Sequence, residues 1–229
     1  MNLIKYFGNS ISELVFPVTC ACCGIKTGEA HQTICNWCRR NRFEKAGEDF
    51  NEILPESVTS LFSMWYFDKG GYLQQLLHNL KYNHLKGVGR ELGRLLAATY
   101  LRSSDPVEIL EMNPLIVPVP LHKSRLRKRG YNQARVLAEG YAELTNWDII
   151  AQGTIIRTRN TGTQTGLTGK QRSDNLRNAF NITSFEQIQD RELIIIDDVY
   201  TTGATTFELA SAIYENTHCR SEIVTIARV

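Results

Sequence analysis

The sequence predicts an α/β protein in which helices flank a mostly parallel sheet, with a small cysteine-rich module near the N-terminus. Three observations carry this prediction. Apolar, β-branched runs at Leu115–Pro120 and Leu193–Ile196 are typical of strands buried on both faces. Segments with helical spacing of apolar residues separate such runs, which is the pattern of β-α-β units. Two Cys-x-x-Cys pairs lie between Cys20 and Cys38.

The composition indicates one sizeable domain with a small appendage. The chain has 229 residues, 42% of them hydrophobic, and its formal net charge of +2 favours no class of partner. We expect the N-terminal helix and cysteine module to occupy residues 1–50 and the α/β domain residues 51–229. No apolar run reaches the roughly 18 residues of a membrane-spanning helix, and Gly8 and Ser12 interrupt the N-terminal segment. We therefore expect no transmembrane segment and a cytoplasmic location.

The paired cysteines predict a structural zinc site. Tetrahedral zinc takes four thiolates, and two tight Cys-x-x-Cys turns supply them. The predicted ligands are Cys20, Cys23, Cys35 and Cys38. Two disulfides or one redox-active pair are the alternatives, and a cytoplasmic location disfavours the disulfides. Because four thiolates close the coordination sphere, we expect a structural and not a catalytic ion, with Cys22 and His31 as substitutes if the ligand set differs.

The apolar periodicity predicts an alternation of strands and helices along the chain. Strands are predicted at Val58–Phe67, Leu115–Pro120, Thr154–Arg157, Ala179–Ile182, Leu193–Ile196 and Glu222–Val229. Helices are predicted at residues 3–15, Tyr72–Tyr82, Lys86–Leu101, Gly130–Tyr141 and Gln171–Asn178, and after Thr206. The polar, glycine-rich stretch Thr158–Lys170 is too long for a simple connector, and loops of this kind tend to be lids or disordered segments.

A cluster of basic residues follows the strand predicted at Leu115–Pro120. Five of the seven residues from Lys123 to Arg129 are basic. One interpretation is a solvated surface, which is the usual role of such a run. The other is anion binding, because open α/β sheets bind ligands beyond the carboxyl ends of their strands. We favour anion binding, with the ligand lying across the segments that follow Val119, Arg157 and Ile196.

Two carboxylates and a loop of small residues follow the strand predicted at Leu193–Ile196. Asp197 and Asp198 would accept hydrogen bonds from neighbouring hydroxyls, such as a ribose diol. The loop Thr201–Thr206 and the helix N-terminus behind it would offer backbone N–H groups to a phosphate, and Gly203 allows close approach. The alternative is an acidic strand end followed by an ordinary capped helix. The combination favours a ribose phosphate as the ligand.

The stretch Leu193–Thr206 strongly resembles the phosphoribosyl pyrophosphate (PRPP) loop of type I phosphoribosyltransferases. This resemblance implies that Asp197 and Asp198 hold the ribose hydroxyls. It also implies that the 5′-phosphate is held by Thr201, Thr202, Gly203, Ala204 and Thr205.

Four motifs in order resemble the ComF, or competence-type, family of phosphoribosyltransferase-like proteins. They are the paired cysteines, VPVPLHKSRLRKRGYNQA, RTRNTGTQTGLTGKQRSDNLRNAF and IIIDDVYTTGAT. The resemblance implies a type I phosphoribosyltransferase fold preceded by a zinc ribbon. It makes Lys123 and Arg125 candidate pyrophosphate contacts, with magnesium accompanying PRPP, and makes Thr158–Lys170 a flexible hood. Some members are linked to natural transformation, which implies single-stranded DNA and other DNA-uptake proteins as partners.

Three functions are compatible with these residues. The first is transfer of ribose 5-phosphate from PRPP, for which Asp197, Asp198 and Arg129 are the candidate catalytic residues. The second is binding of single-stranded DNA by the basic run, with Tyr131 as a stacking platform. The third is sensing of PRPP without turnover. The sequence does not identify an acceptor.

Overall fold

The computed structural model describes residues 19–27, 32–47, 53–82, 85–103, 113–159 and 179–229. The helices predicted at residues 3–15 and Gln171–Asn178 lie outside these ranges, as does all but the start of the predicted hood Thr158–Lys170. Within the described ranges, every helix is too short or too polar to cross a membrane. The division into domains at residue 50 stays a prediction.

The described residues form six strands and six short or medium helices. The strands are β1 (Val58–Tyr66), β2 (Leu115–Pro118), β3 (Ile155–Arg157), β4 (Phe180–Ile182), β5 (Leu193–Tyr200) and β6 (Ser221–Arg228). The helices are α1 (Asn36–Asn41), α2 (Tyr72–Tyr82), α3 (Lys86–Ser103), α4 (Lys123–Arg129), α5 (Gln133–Thr145) and α6 (Ala204–Thr217).

The main sheet has four parallel strands in the order β1-β6-β5-β2. This order confirms the predicted α/β class with a mostly parallel sheet. Alternate side chains of a strand point to opposite faces, and both faces are covered. Ile194 and Ile196 of β5 pack in a core with α2, α3 and α5. Leu193 and Ile195 pack in a second core with α6.

Helices α3 and α5 cross at unusually close range. A Cβ atom at Gly93 would lie 2.0 Å from the carbonyl oxygen of Leu137, and one at Gly140 would lie 2.0 Å from that of Arg90. Any side chain at either position would force the helices apart. The contact fixes α3 and α5 as one layer over the sheet.

Three elements differ from the sequence-based expectation. The basic run after β2 is helix α4 and not an open loop, because His122 caps its first turn and Gly130 ends it at φ +75°. Strand β5 does not end at Ile196 but continues through both carboxylates to Tyr200, because it pairs there with β6. Strand β3 pairs with β4 in a separate two-stranded antiparallel sheet.

Candidate functional site

Four cysteine side chains converge in the N-terminal module. Their Sγ atoms all lie within 4.8 Å of one another, and the four residues are Cys20, Cys23, Cys35 and Cys38. The Sγ atoms of Cys23 and Cys35 are 3.8 Å apart. Zn–S bonds of about 2.3 Å in a tetrahedron place sulfur atoms about 3.8 Å apart, so the spacing fits one tetrahedral ion. All six cysteines are free thiols, in contrast to the disulfide alternative. The cluster can therefore bind a metal ion such as zinc.

Backbone N–H groups donate hydrogen bonds to two of the sulfur atoms in this cluster. The N–H of Cys35 donates to Sγ of Cys20 over 3.3 Å, and the N–H of Cys38 donates to Sγ of Cys35 over 3.4 Å. Burial alone would raise the pKa of Cys20, but hydrogen bonds from backbone groups lower it to about 6. At Cys20 the thiolate, which is the form that binds metals, is therefore favoured before any ion enters, whereas burial and the neighbouring cysteines raise the pKa of Cys38.

Cys22 stands apart from this set, as expected from the sequence. Burial and the neighbouring thiolates raise the pKa of Cys22 to about 12. Cys22 is not one of the four cysteines whose Sγ atoms lie within 4.8 Å of one another. His31, the other substitute considered, lies outside the described residues.

The buried carboxylate of Glu91 connects the cysteine module to the α/β core through hydrogen bonds and an ion pair. Glu91 of α3 is only 3% exposed. It accepts hydrogen bonds from the backbone N–H of Thr33, from the Thr33 hydroxyl over 2.6 Å and from the N–H of Ile34 over 3.3 Å, and it forms an ion pair with Arg39. Because Ile34 and Cys38 also pack in the same core as α2 and α3, the module is structurally continuous with the sheet layer.

The second candidate site is the acidic pair near the end of β5. Asp198 is 5% exposed and forms an ion pair with Lys81, in the last turn of α2. Burial would raise the pKa of Asp198, but the ammonium of Lys81 outweighs burial and lowers it. Burial and the charge of Asp198 together raise the pKa of Asp197 to about 8. Asp198 is thus an ion-paired carboxylate, whereas Asp197 needs a further cation or hydrogen-bond donors to ionise fully.

Three arginines lie within electrostatic reach of this pair. Arg129 of α4 contributes to the lowered pKa of Asp198. Burial and the charge of Arg125 lower the pKa of Arg157 in β3, while Asp197 acts in the opposite direction. Lys81 is thus in contact with the acidic pair, Arg129 and Arg157 interact with it electrostatically, and Arg125 is linked to it through Arg157. These side chains lie at the carboxyl edge of the sheet. This is where open α/β sheets bind their ligands.

The loop behind the acidic pair leads into α6 through a glycine and without a side-chain cap. Gly203 begins α6 at φ +67° without a side-chain cap. A Cβ atom there would lie 2.4 Å from the Phe207 ring and 2.6 Å from the Tyr200 hydroxyl oxygen, so only glycine fits. Thr201 and Thr202 are exposed. The uncapped first turn is compatible with binding an anion.

The predicted site residues do not all converge. Asp197 and Asp198 lie side by side, the charge of Arg129 acts on Asp198, and the loop from Thr201 to Thr205 follows the pair directly. Arg125 is linked to the pair only through the charge of Arg157. Lys123 lies exposed in the first turn of α4, and no described contact links it to the acidic pair. Its role as a pyrophosphate contact stays a prediction.

Tyr131 does not offer the stacking face that the sequence suggested. It is only 7% exposed, and its hydroxyl donates to the backbone carbonyl of Leu80. The prediction of Tyr131 as a nucleobase platform is wrong, because the side chain packs against the end of α2.

Sequence reasoning missed two residues of the site. Lys81 was visible only as the last polar position of a predicted helix, and Arg157 only as the end of a predicted strand. Neither position carries a local signal of its role. Both face the acidic pair because the fold brings α2 and β3 to the end of β5.

The fold and the sheet-edge site define an α/β protein with a four-cysteine module and a mixed-charge ligand site. No protein-family model matches the chain. Among curated proteins, it is 35% identical over 146 residues to "DNA utilization protein YhgH" of Escherichia coli (strain K12), covering 63% of this chain and 62% of that protein. It is 36% identical over 141 residues to "Competence protein F" of Haemophilus influenzae, covering 60% of each.

A more distant relative extends the same group. The chain is 33% identical over 101 residues to "Competence protein ComFC" of Bacillus subtilis, covering 44% of this chain and 38% of that protein. The chain thus spans about three fifths of the length of the first two relatives and less of the third. These similarities, with the four-cysteine cluster, confirm the predicted resemblance to the competence-type family.

Proposed function

We propose that the carboxyl edge of the sheet binds PRPP together with magnesium and transfers its ribose 5-phosphate group. We propose that this activity serves DNA uptake or utilization, which the names of the relatives support. The observation that carries the proposal is the juxtaposition of Asp197 and Asp198 with Lys81, Arg129, Arg125 and Arg157 beside the uncapped start of α6.

Each part of PRPP has a chemically matched group in this arrangement. Asp197 and Asp198 would accept hydrogen bonds from the two ribose hydroxyls. The backbone N–H groups of Thr201–Thr205 would bind the 5′-phosphate. Arg125 and Arg129, on the neighbouring helix α4, would face the pyrophosphate, where charge develops as it leaves. Magnesium, when bound, would supply further positive charge for the pyrophosphate oxygens.

The raised pKa of Asp197 fits this role. A carboxyl with a pKa of about 8 is mostly protonated at neutral pH, and it ionises when a cation or several hydroxyl donors approach. Asp198, already paired with Lys81, would fix the geometry of its neighbour. Positioning and charge stabilisation would then account for the catalysis, because the described site contains no obvious covalent nucleophile.

The test is a calorimetric titration of PRPP with magnesium into three proteins. Wild type should bind, and Asp197→Asn should bind at least about tenfold more weakly, since it removes a charged hydrogen-bond acceptor. Asp190→Asn, which changes an exposed aspartate elsewhere, should match wild type. Folded wild type that binds no PRPP, or Asp197→Asn that binds as well as wild type, would contradict the proposal. Pyrophosphate release then separates an enzyme from a sensor.

A second function, binding of single-stranded DNA, is favoured by a different surface. The guanidinium of Arg42 lies 4.9 Å from the ring centroid of Trp37 and 3.9 Å from that of Tyr72. Trp37 is 57% exposed and Tyr72 38% exposed, and Arg40 nearby on α1 is also exposed. Exposed aromatic rings among arginines are the arrangement on which unpaired bases stack while phosphates are neutralised.

Fluorescence anisotropy with labelled oligothymidylate tests this second function. Trp37→Ala should weaken binding by about tenfold, because stacking of one base contributes about 1–3 kcal/mol. Affinity should also fall steeply as salt rises. Phe185→Ala, which removes another partly exposed ring, is the matched control. Equal loss in both variants, or binding that is insensitive to salt, would rule out this surface.

A further inference from the structure

A cavity of about 570 Å³ shares Arg157 with the sheet-edge site, and its lining does not include Asp197, Asp198 or the loop from Thr201 to Thr205. Its volume is typical of sites for small organic ligands. Helix α5 forms one wall, since Asn132, Arg135, Val136 and Glu139 line the cavity at helical spacing. Seven residues of helix rise about 10 Å, so this wall is long enough for a ring system. Arg157 also lines the cavity and links it to the acidic pair.

The charged lining of the cavity is mostly positive. Four of the charged side chains are cationic, namely Lys86, Arg90, Arg135 and Arg157, and Glu139 is the one described carboxylate among them. Glu139 lies 2.8 Å from Arg90 and 3.9 Å from Arg135, so its charge is already shared. Lys86 is exposed, and its ammonium lies 5.5 Å from the centroid of the Tyr131 ring. It has no carboxylate partner among the described residues.

The remaining walls are apolar and well suited to a flat ring. Pro118 and Pro120 follow from β2, Leu126 projects from α4, and Ile155 belongs to β3. A planar ligand between such walls gains contact area without leaving polar groups unpaired. The net positive lining adds a preference for a negative substituent on that ring.

We infer that this cavity holds the acceptor of the transfer reaction, and that the acceptor is a heteroaromatic acid: a planar ring with a nucleophilic nitrogen and a carboxylate. The inference rests on the proposed function, because it needs PRPP at the adjoining edge. The carboxylate is recognised by the cationic lining around Lys86, and the ring lies between the prolines and Ile155.

The reaction is balanced by the two substrates alone. The lone pair of the ring nitrogen forms a bond to C1 of the ribose. The bond from C1 to the pyrophosphate oxygen breaks, and its electron pair leaves with pyrophosphate. Where the ring nitrogen carries a hydrogen, that proton passes to water.

The test uses two pairs of ligands of nearly equal shape that differ in charge. These are nicotinate with nicotinamide, and indole-2-carboxylate with indole-2-carboxamide. Each is titrated calorimetrically into the full-length protein with PRPP and magnesium present. At least one acid should bind about tenfold more tightly than its amide, as expected for a hydrogen bond to a charged group. Lys86→Gln should remove most of that preference, whereas Lys69→Gln, an exposed change outside the cavity, should keep it.

A second variant tests the assignment of the cavity by filling part of its volume. Ile156→Trp places a large ring at a partly exposed lining position, and it should abolish binding of the acid while PRPP still binds. Normal PRPP binding without any preference for the acids would overturn this inference and leave the proposed function intact. Absence of PRPP binding to the folded wild type would overturn both. Retained acid binding in Ile156→Trp would also overturn the assignment of the cavity.

Discussion

The cysteine cluster and the sheet-edge site differ in how completely their charges are satisfied. In the cluster, four like groups lie within 4.8 Å of one another and can share one cation, so no position is left for a substrate. At the sheet edge, Asp198 is paired with Lys81 but Asp197 is not, and its pKa is raised to about 8. The first arrangement is suited to stability and the second to binding.

This contrast separates the effects expected from mutation. Substitutions in the cysteine module should lower the free energy of unfolding. They should also affect the α/β core, because Glu91 of the core contacts the module. Changes at Asp197 should act on ligand binding and leave folding intact. Asp198 lies between these cases, because its carboxylate belongs to the binding site and also neutralises the partly buried Lys81.

The largest effect is expected for Cys38→Ser. Metal binding contributes on the order of 10 kcal/mol to small four-ligand modules, and Cys38 is fully buried. The variant should lose its metal in native mass spectrometry and lose cooperative melting in circular dichroism. Cys22→Ser should keep one bound metal and melt like wild type. A metal-free wild type that is fully folded would contradict the structural role of the cluster.

Glu91→Gln should give the next largest loss, about 3 kcal/mol, because it removes the charge that pairs with Arg39 inside the protein. Urea denaturation measures this change, and release of zinc to a chelator should also become faster. Glu143→Gln, which alters an exposed carboxylate paired with Arg90 and Arg94, should change stability by less than about 1 kcal/mol. Equal losses in both variants would mean that Glu91 does not fasten the module.

Asp198→Asn should destabilise the protein by about 2 kcal/mol, because it leaves the ammonium of Lys81 without its nearest counter-charge. Changing Lys81→Met in the same chain should recover part of this loss, and a double-mutant cycle in urea measures the coupling. Additive losses, without recovery, would show that the two side chains stabilise the fold independently.

Local patterns explain how much of the structure could be predicted. Helix α2 spans the predicted Tyr72–Tyr82 because its leucines recur at helical spacing. The four-cysteine cluster follows from Cys-x-x-Cys turns, whose geometry is set within four residues. Strand β2 ends at Pro118, two residues before the predicted Pro120, at a residue that has no backbone N–H to donate to a ladder.

Long-range effects explain what could not be predicted. Aspartate disfavours strands, yet Asp197 and Asp198 continue β5 because β6 supplies the pairing. The ion pair between Asp198 and Lys81 joins residues that are far apart in the chain, and no motif near Lys81 indicates this contact. The burial of Tyr131 depends on where α2 ends. For such positions, composition and spacing carry no information about the partner.

The last expected effect is a pH dependence that separates Asp197 from its neighbour. Burial and the charge of Asp198 raise the pKa of Asp197 from 3.8, the ordinary value of an aspartate side chain, to about 8 in the folded protein. Between these values the folded state holds a proton that the unfolded chain releases. The free energy of unfolding should therefore fall as pH rises from about 4 to about 8, by at most about 1.4 kcal/mol per pH unit.

Asp198 should not contribute in this range, since its lowered pKa affects stability only at more acidic pH. Asp197→Asn should remove the slope in urea titrations and should be more stable than wild type near pH 8, whereas Asp190→Asn should retain the wild-type slope. PRPP affinity of the wild type should rise over the same interval, because the ionised carboxylate is the form that accepts hydrogen bonds. A slope unchanged in Asp197→Asn would show that Asp197 ionises normally, and the distinction between the two carboxylates would then fail.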